Sequence, residues 1–219
     1  MLVRHGFMFM LLACTGCFHT SLMAQPEREA DIIGTAYDPD SDQILYLEHH
    51  YCDQAKLACS VFFLRPTGDL IASKTLDYRT SKQAPTLWFY DYRFGNELNL
   101  VPQDPAWIVD SGFDNFLRSQ WPAITNGDNI SFSMHLLGRD KPLDMIAKPT
   151  DAALCPDSRY CVDVALDSWL LGRLLSPIQL DYDRGTRNLL RFRGLSNLPS
   201  DAGKKQWVDI RYLYQSLNE

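Results

Sequence analysis

ILYLEHHYCDQAKLACSVFFLR, residues Ile44 to Arg65, decides the fold. Two runs rich in β-branched and aromatic residues, Ile44 to Tyr51 and Ser60 to Arg65, flank a polar stretch bounded by Cys52 and Cys59. Such runs around a short polar connection read as an antiparallel hairpin. The two cysteines then close its connection.

The same grammar continues on both sides. Upstream, a polar lead-in from Gln25 runs into a first strand near Ile32 to Tyr37, and Asp38-Pro39-Asp40-Ser41-Asp42 is turn chemistry. Its Asp-x-Asp-x-Asp spacing is not a calcium loop, because Gln43 and His49 stand where such a loop needs glycine and glutamate. Downstream, the turn Pro66-Thr67-Gly68-Asp69 feeds Leu70 to Tyr78, and LWFYDYRF (Leu87 to Phe94) follows. Turn signals about 8–12 residues apart indicate antiparallel β-structure.

Period-2 alternation gives each run two faces. Trp88, Tyr90, Tyr92 and Phe94 oppose Leu87, Phe89, Asp91 and Arg93; Ile130, Phe132, Met134 and Leu136 oppose Ser131, Ser133, His135 and Leu137. Ile178, Leu180 and Tyr182 oppose Gln179, Asp181 and Asp183, and Val208, Ile210 and Tyr212 oppose Asp209 and Arg211. Two stretches read as helices. Asp110 to Trp121 offers Ser111 as N-cap, a stripe of Phe113, Phe116 and Leu117, and Pro122 as a stop. Leu166 to Ser176, with Trp169, Leu170, Leu171, Leu174 and Leu175, is apolar around much of its circumference and must be buried. The expected fold class is α+β: a predominantly antiparallel, strongly curved sheet (a half-barrel) with two short helices covering its apolar face.

The N-terminus reads as an export signal, with Arg4 ahead of the apolar run Phe7 to Ala13. Two processing routes stay open. Cleavage after Ala24 leaves a periplasmic protein, with residues 1–24 as signal peptide and 25–219 as one domain. A lipobox-like Leu11-Leu12-Ala13-Cys14 instead makes 1–13 a lipoprotein signal and Cys14 a lipidated anchor to the outer membrane. Cysteine usage agrees with export. Beyond Cys14 and Cys17, the four remaining of the six form two local pairs, Cys52/Cys59 and Cys155/Cys161. A four-thiolate zinc site is the competing reading, but the spacings are wider than in zinc knuckles, so no metal is expected.

The 219 residues carry a net charge of −6, against the basic face that a phosphate-backbone binder needs, so nucleic acid is excluded as a partner. No nucleophile elbow, P-loop, dinucleotide fingerprint or HExxH occurs, so neither a catalytic residue nor a cofactor is assigned. Within EHHYC, His49 and His50 point to opposite faces of a strand, whereas Glu48 and His50 share one and can form an acid–base pair. His135, alone between polar positions, reads as structural. Arg184, Arg187, Arg191 and Arg193 read as the solvated side of a hairpin balanced by Asp181 and Asp183.

The order of elements is familiar. ILYLEHHY, GDLIASKTLDY and TLWFYDYRFG, then GFDNFLRSQW and SPIQLDYDRGTRNLLRFRGLSNL, resemble the layout of uncharacterised bacterial envelope proteins similar to the LolA/LolB lipoprotein-carrier superfamily. That resemblance implies a curved sheet plugged by helices around a lipophilic cavity, and it carries over no specific binding residue. The expected function is therefore a non-enzymatic envelope protein that holds a hydrophobic small molecule or lipid, membrane-associated only if lipidated. Expected lining residues are Trp88, Tyr90, Phe132, Met134, Leu180 and Phe192, with Trp169 on the covering helix. An adaptor that binds another envelope protein is the alternative, and a hydrolase around Glu48 and His50 a third.

Overall fold

The computed structural model describes residues 26–169 and 176–215. The expected export segment, with Cys14 and both expected processing sites, lies outside these residues, as do residues 170–175 of the second expected helix.

Within the described residues the strands are β1 (Ile32–Tyr37), β2 (Ile44–Cys52), β3 (Ala58–Leu64), β4 (Leu70–Asp77), β5 (Thr86–Asp91), β6 (Asn96–Leu100), β7 (Ile108–Val109), β8 (Ile130–His135), β9 (Leu143–Pro149), β10 (Arg159–Leu166), β11 (Ile178–Asp183), β12 (Leu189–Leu195) and β13 (Trp207–Tyr214). Two helices, α1 (Phe113–Ser119) and α2 (Trp121–Thr125), lie between β7 and β8. No described helix is long and apolar enough to cross a membrane.

All thirteen strands form one unclosed, curved sheet in the order β6-β5-β4-β3-β2-β1-β13-β12-β11-β10-β9-β8-β7. Each arm is a meander of hairpins, and the arms join where the first strand pairs with the last, Gly34 opposite Tyr212. Pairing is antiparallel throughout except between β7 and β8. Both expected disulfides are present, Cys52–Cys59 across the β2–β3 hairpin and Cys155–Cys161 at the start of β10.

The inner face carries two apolar clusters, one per arm. Tyr46, Val61, Phe63, Leu87 and Phe89 form the first, covered by Leu198 from the connection between β12 and β13. That connection is clamped by Arg93, which donates to Asp91 at 3.0 and 2.7 Å, to the Pro199 carbonyl at 2.8 Å and to Asp201 at 3.0 Å. Phe132, Met134, Val162, Val164 and Leu180 form the second cluster, covered by Leu117, Trp121 and Ile124 of the helices. Half-buried Phe192 touches both. One arm is thus plugged by helices and the other by a loop. A smaller cluster of Ala30, Tyr51 and Phe62 sits apart.

Five local expectations are corrected. The helix expected over Asp110 to Trp121 is broken: a 3-10 turn (Asp110–Gly112) precedes α1, and α2 begins afresh at Trp121. Pro122 does not stop a helix but opens one, because its fixed φ and missing N–H suit a first turn. Ser111 caps nothing; its hydroxyl donates to Asp110 and accepts from Lys74 Nζ at 3.0 Å. Leu166, expected to start the second helix, ends β10, where it pairs with Met145. The strand begun at Leu87 ends at Asp91, and residues 92–95 form the turn to β6.

The faces of β5 are also reversed. Leu87 and Phe89 are buried, while Trp88 is 42% exposed and Tyr90 half-buried on the other side. Both faces of this strand are apolar enough to bury. The inward face takes Leu87 and Phe89 together with Asp91, whose carboxylate is paired with Arg93, and the indole and phenol on the other face keep their polar edges near water.

Candidate functional site

The interior of the curved sheet is the candidate site. Of the expected lining residues, Phe132, Met134 and Leu180 are packed within the second cluster and Phe192 bridges the two. Trp88 and Tyr90 lie on the opposite face of the sheet, and Trp169 is 81% exposed, so these three do not join them. Apolar side chains at the rim of the second cluster stay partly exposed. There Phe113 and Phe116 of α1, Ile130, Leu166 and Ile178 remain only partly buried, and the Phe116 ring lies 5.1 Å from that of Phe132.

A polar group crosses the same interior between the arms. Glu48 on β2 is buried, and His50 Nε2 lies 3.1 Å from its Oε2. Tyr212 Oη donates to the same oxygen at 3.4 Å, and its ring meets His50 edge-on at 5.9 Å. Only Gly34 allows this approach, since a Cβ there would lie 2.9 Å from the Tyr212 ring and 3.2 Å from Glu48 Cβ. Burial pushes the Glu48 carboxyl up, but His50, Lys74 and Tyr212 outweigh it and hold it below its ordinary value. His49 points the other way, and burial lowers its pKa.

Across the interior, Tyr182 Oη donates to Asp114 Oδ1 at 3.0 Å, and Arg118 donates to Asp114 Oδ2 at 2.6 Å. Burial raises Asp114 despite these partners. A third group centres on buried Asp110, whose carboxylate accepts Asn197 Nδ2 at 2.9 and 3.1 Å and ties α1 to the β12–β13 connection. Its backbone has a φ of 33°, a left-handed conformation that a non-glycine residue holds only when its surroundings fix it.

Burial, and then the neighbouring carboxylates, push the phenols of Tyr46, Tyr182 and Tyr212 well above their usual range. At neutral pH they are hydrogen-bonding alcohols, not nucleophiles. Glu48 and His50 do pair, but Glu48 is buried and not part of a surface pair on a hairpin; the third member, Tyr212, lies far along the chain, where alternation on β13 marked its face but not its partner. Among the described residues no group of three or more potential metal ligands converges. The arginines of the β11–β12 hairpin are engaged on both sides: on the outer face Arg191 donates to both Asp209 oxygens at 2.7 Å, while Arg184 stacks over Tyr160 and Arg187 over Trp121 at the margin of the inner, helix-covered cluster. His135 stacks on Trp107 at 3.8 Å.

No family model matches the sequence, and no curated protein does. Among solved structures, a DUF1329 family protein from Desulfovibrio piger is similar over 86% of this chain and 85% of that one, at 9% identity and a TM-score of 0.24. At that distance no residue correspondence follows.

Proposed function

We propose that this chain is an exported, non-enzymatic cell-envelope protein that binds a hydrophobic ligand, an acyl chain or lipid, on the inner face of its sheet beside α1 and α2. The half-open apolar rim of Phe113, Phe116, Ile130, Leu166 and Ile178 carries the reading. It is where a sheet that does not close leaves apolar side chains within reach of a ligand. Each buried methylene contributes about 0.8 kcal/mol, so about ten of them give about 8 kcal/mol before association costs. The two disulfides support an oxidising compartment. The layout resemblance to the lipoprotein carriers points the same way.

Native mass spectrometry of the protein purified from its own envelope tests this. A co-purifying lipid mass is expected, with at least tenfold weaker uptake of a fluorescent fatty acid by folded Ile178→Glu or Phe116→Glu. A clean apo mass together with no uptake by the wild type overturns it.

A further inference from the structure

The outer face of β4 and β5 carries a second feature, unrelated to the lipid reading. A shallow depression of about 420 Å³ lies at the turn end of the β2–β3 hairpin, with Arg28, Asp53, Ser60, Thr75, Asp77, Arg79 and Trp88 among its walls. Tyr51, Ser60, Thr75 and Trp88 stand directly opposite one another on β2 to β5, so their side chains share one face. Trp88 is 42% exposed, and Tyr90 follows two residues on, its ring 4.8 Å from that of Tyr92. The result is a row of aromatic rings along β5, bordered by hydroxyls.

Charge selects among ligands for this surface. Arg28 is bonded to Asp31 and to the Cys52 carbonyl, both at 2.6 Å, and Arg79 Nε to Asp77 at 2.9 Å. Asp53 accepts the Leu57 N–H at 2.7 Å. Both cations are already paired, so an anion would have to break an ion pair to bind. Among the described residues the Ser60 and Thr75 hydroxyls have no partner. The surface is open and edged with ions, so an acyl chain would bury little there. A flat indole beside free hydroxyls suits a molecule with one apolar C–H face and a rim of hydroxyl groups. We propose that this surface binds a neutral saccharide, a pyranose ring stacking on Trp88 with its hydroxyls reaching Ser60, Thr75 and Asp77.

The test titrates triacetylchitotriose, cellotriose and maltotriose into the full chain, following the Trp88 indole N–H resonance, assigned by its loss in Trp88→Phe. At least one of the three is expected to shift that resonance saturably in the wild type. Its affinity, measured for all variants by isothermal titration calorimetry, should fall at least tenfold in Trp88→Ala, fall less in Trp88→Phe, and change less than twofold between low and high salt. Trp88 is exposed enough for these variants to fold, which circular dichroism checks. No shift with any of the three sugars overturns the proposal, as does saccharide binding that survives Trp88→Ala. Trigalacturonic acid is titrated alongside as an anionic control; binding confined to it and abolished by salt would also overturn the proposal, placing the ligand on the guanidinium groups. Fatty-acid uptake should be unchanged in Trp88→Ala, so either reading can fail without the other.

Discussion

Gly112 is the position where a single atom matters most. A Cβ there would overlap the Gln83 carbonyl oxygen and lie 2.6 Å from Pro85 Cδ. Backbone cannot step aside as a flexible side chain can, so Gly112→Ala should cost more than about 3 kcal/mol, read from denaturant midpoints. Tyr182→Phe should cost about 1 kcal/mol by removing the hydroxyl that donates to half-buried Asp114, which keeps Arg118 as a donor. Asp209 gives the pH prediction. Burial pushes it up, but Arg191 and Arg211 outweigh burial and hold it below its ordinary value. A depressed folded pKa means stabilisation that is complete above the unfolded value, about 4, and lost as pH falls through the folded one. Asp209→Asn should therefore melt below wild type at pH 7 and lose less melting temperature between pH 5 and pH 3. Equal losses in the two proteins would refute this.

Hairpins are the elements that local chemistry specifies. The β2–β3 unit was legible because its alternation, polar connection and cysteines lie within one window of sequence, and the bridge forms where the register places Cys52 opposite Cys59. Closing so short a loop contributes about 2–3 kcal/mol by chain entropy. Replacing both cysteines by serine should lower stability by that amount under oxidising conditions and by nothing measurable in excess reductant. The strands β6, β7, β9 and β10 escaped the reading. For β9 and β10 the signal was present, since Met145 and Ala147 alternate with Asp144 and Lys148, and Val162 and Val164 with Asp163. Exposed β6, with only Leu100 partly covered, gives almost no pattern. The α1–α2 break was hidden because Pro122 serves equally as a stop and as a first-turn residue.

At the scale of the molecule, β13 occupies the middle of the sheet although it ends the described chain. Deleting residues 206–219 would expose the edges of β1 and β12 and strip Val208 and Ile210 from the first cluster. That truncation should abolish cooperative unfolding altogether, as followed by thermal circular dichroism. A truncated chain that still melts cooperatively would show that the arms fold alone. The sequence by itself determined the antiparallel hairpins, the two disulfide pairs and the alternating faces, because turn chemistry, side-chain period and cysteine spacing all act over a few residues. Only the tertiary structure decided which face of β5 turns inward, what plugs each arm, and that Tyr212 meets Glu48 and His50. Those follow from pairing the first strand with the last, a contact whose free energy depends on the whole sheet and leaves no local trace in the chain.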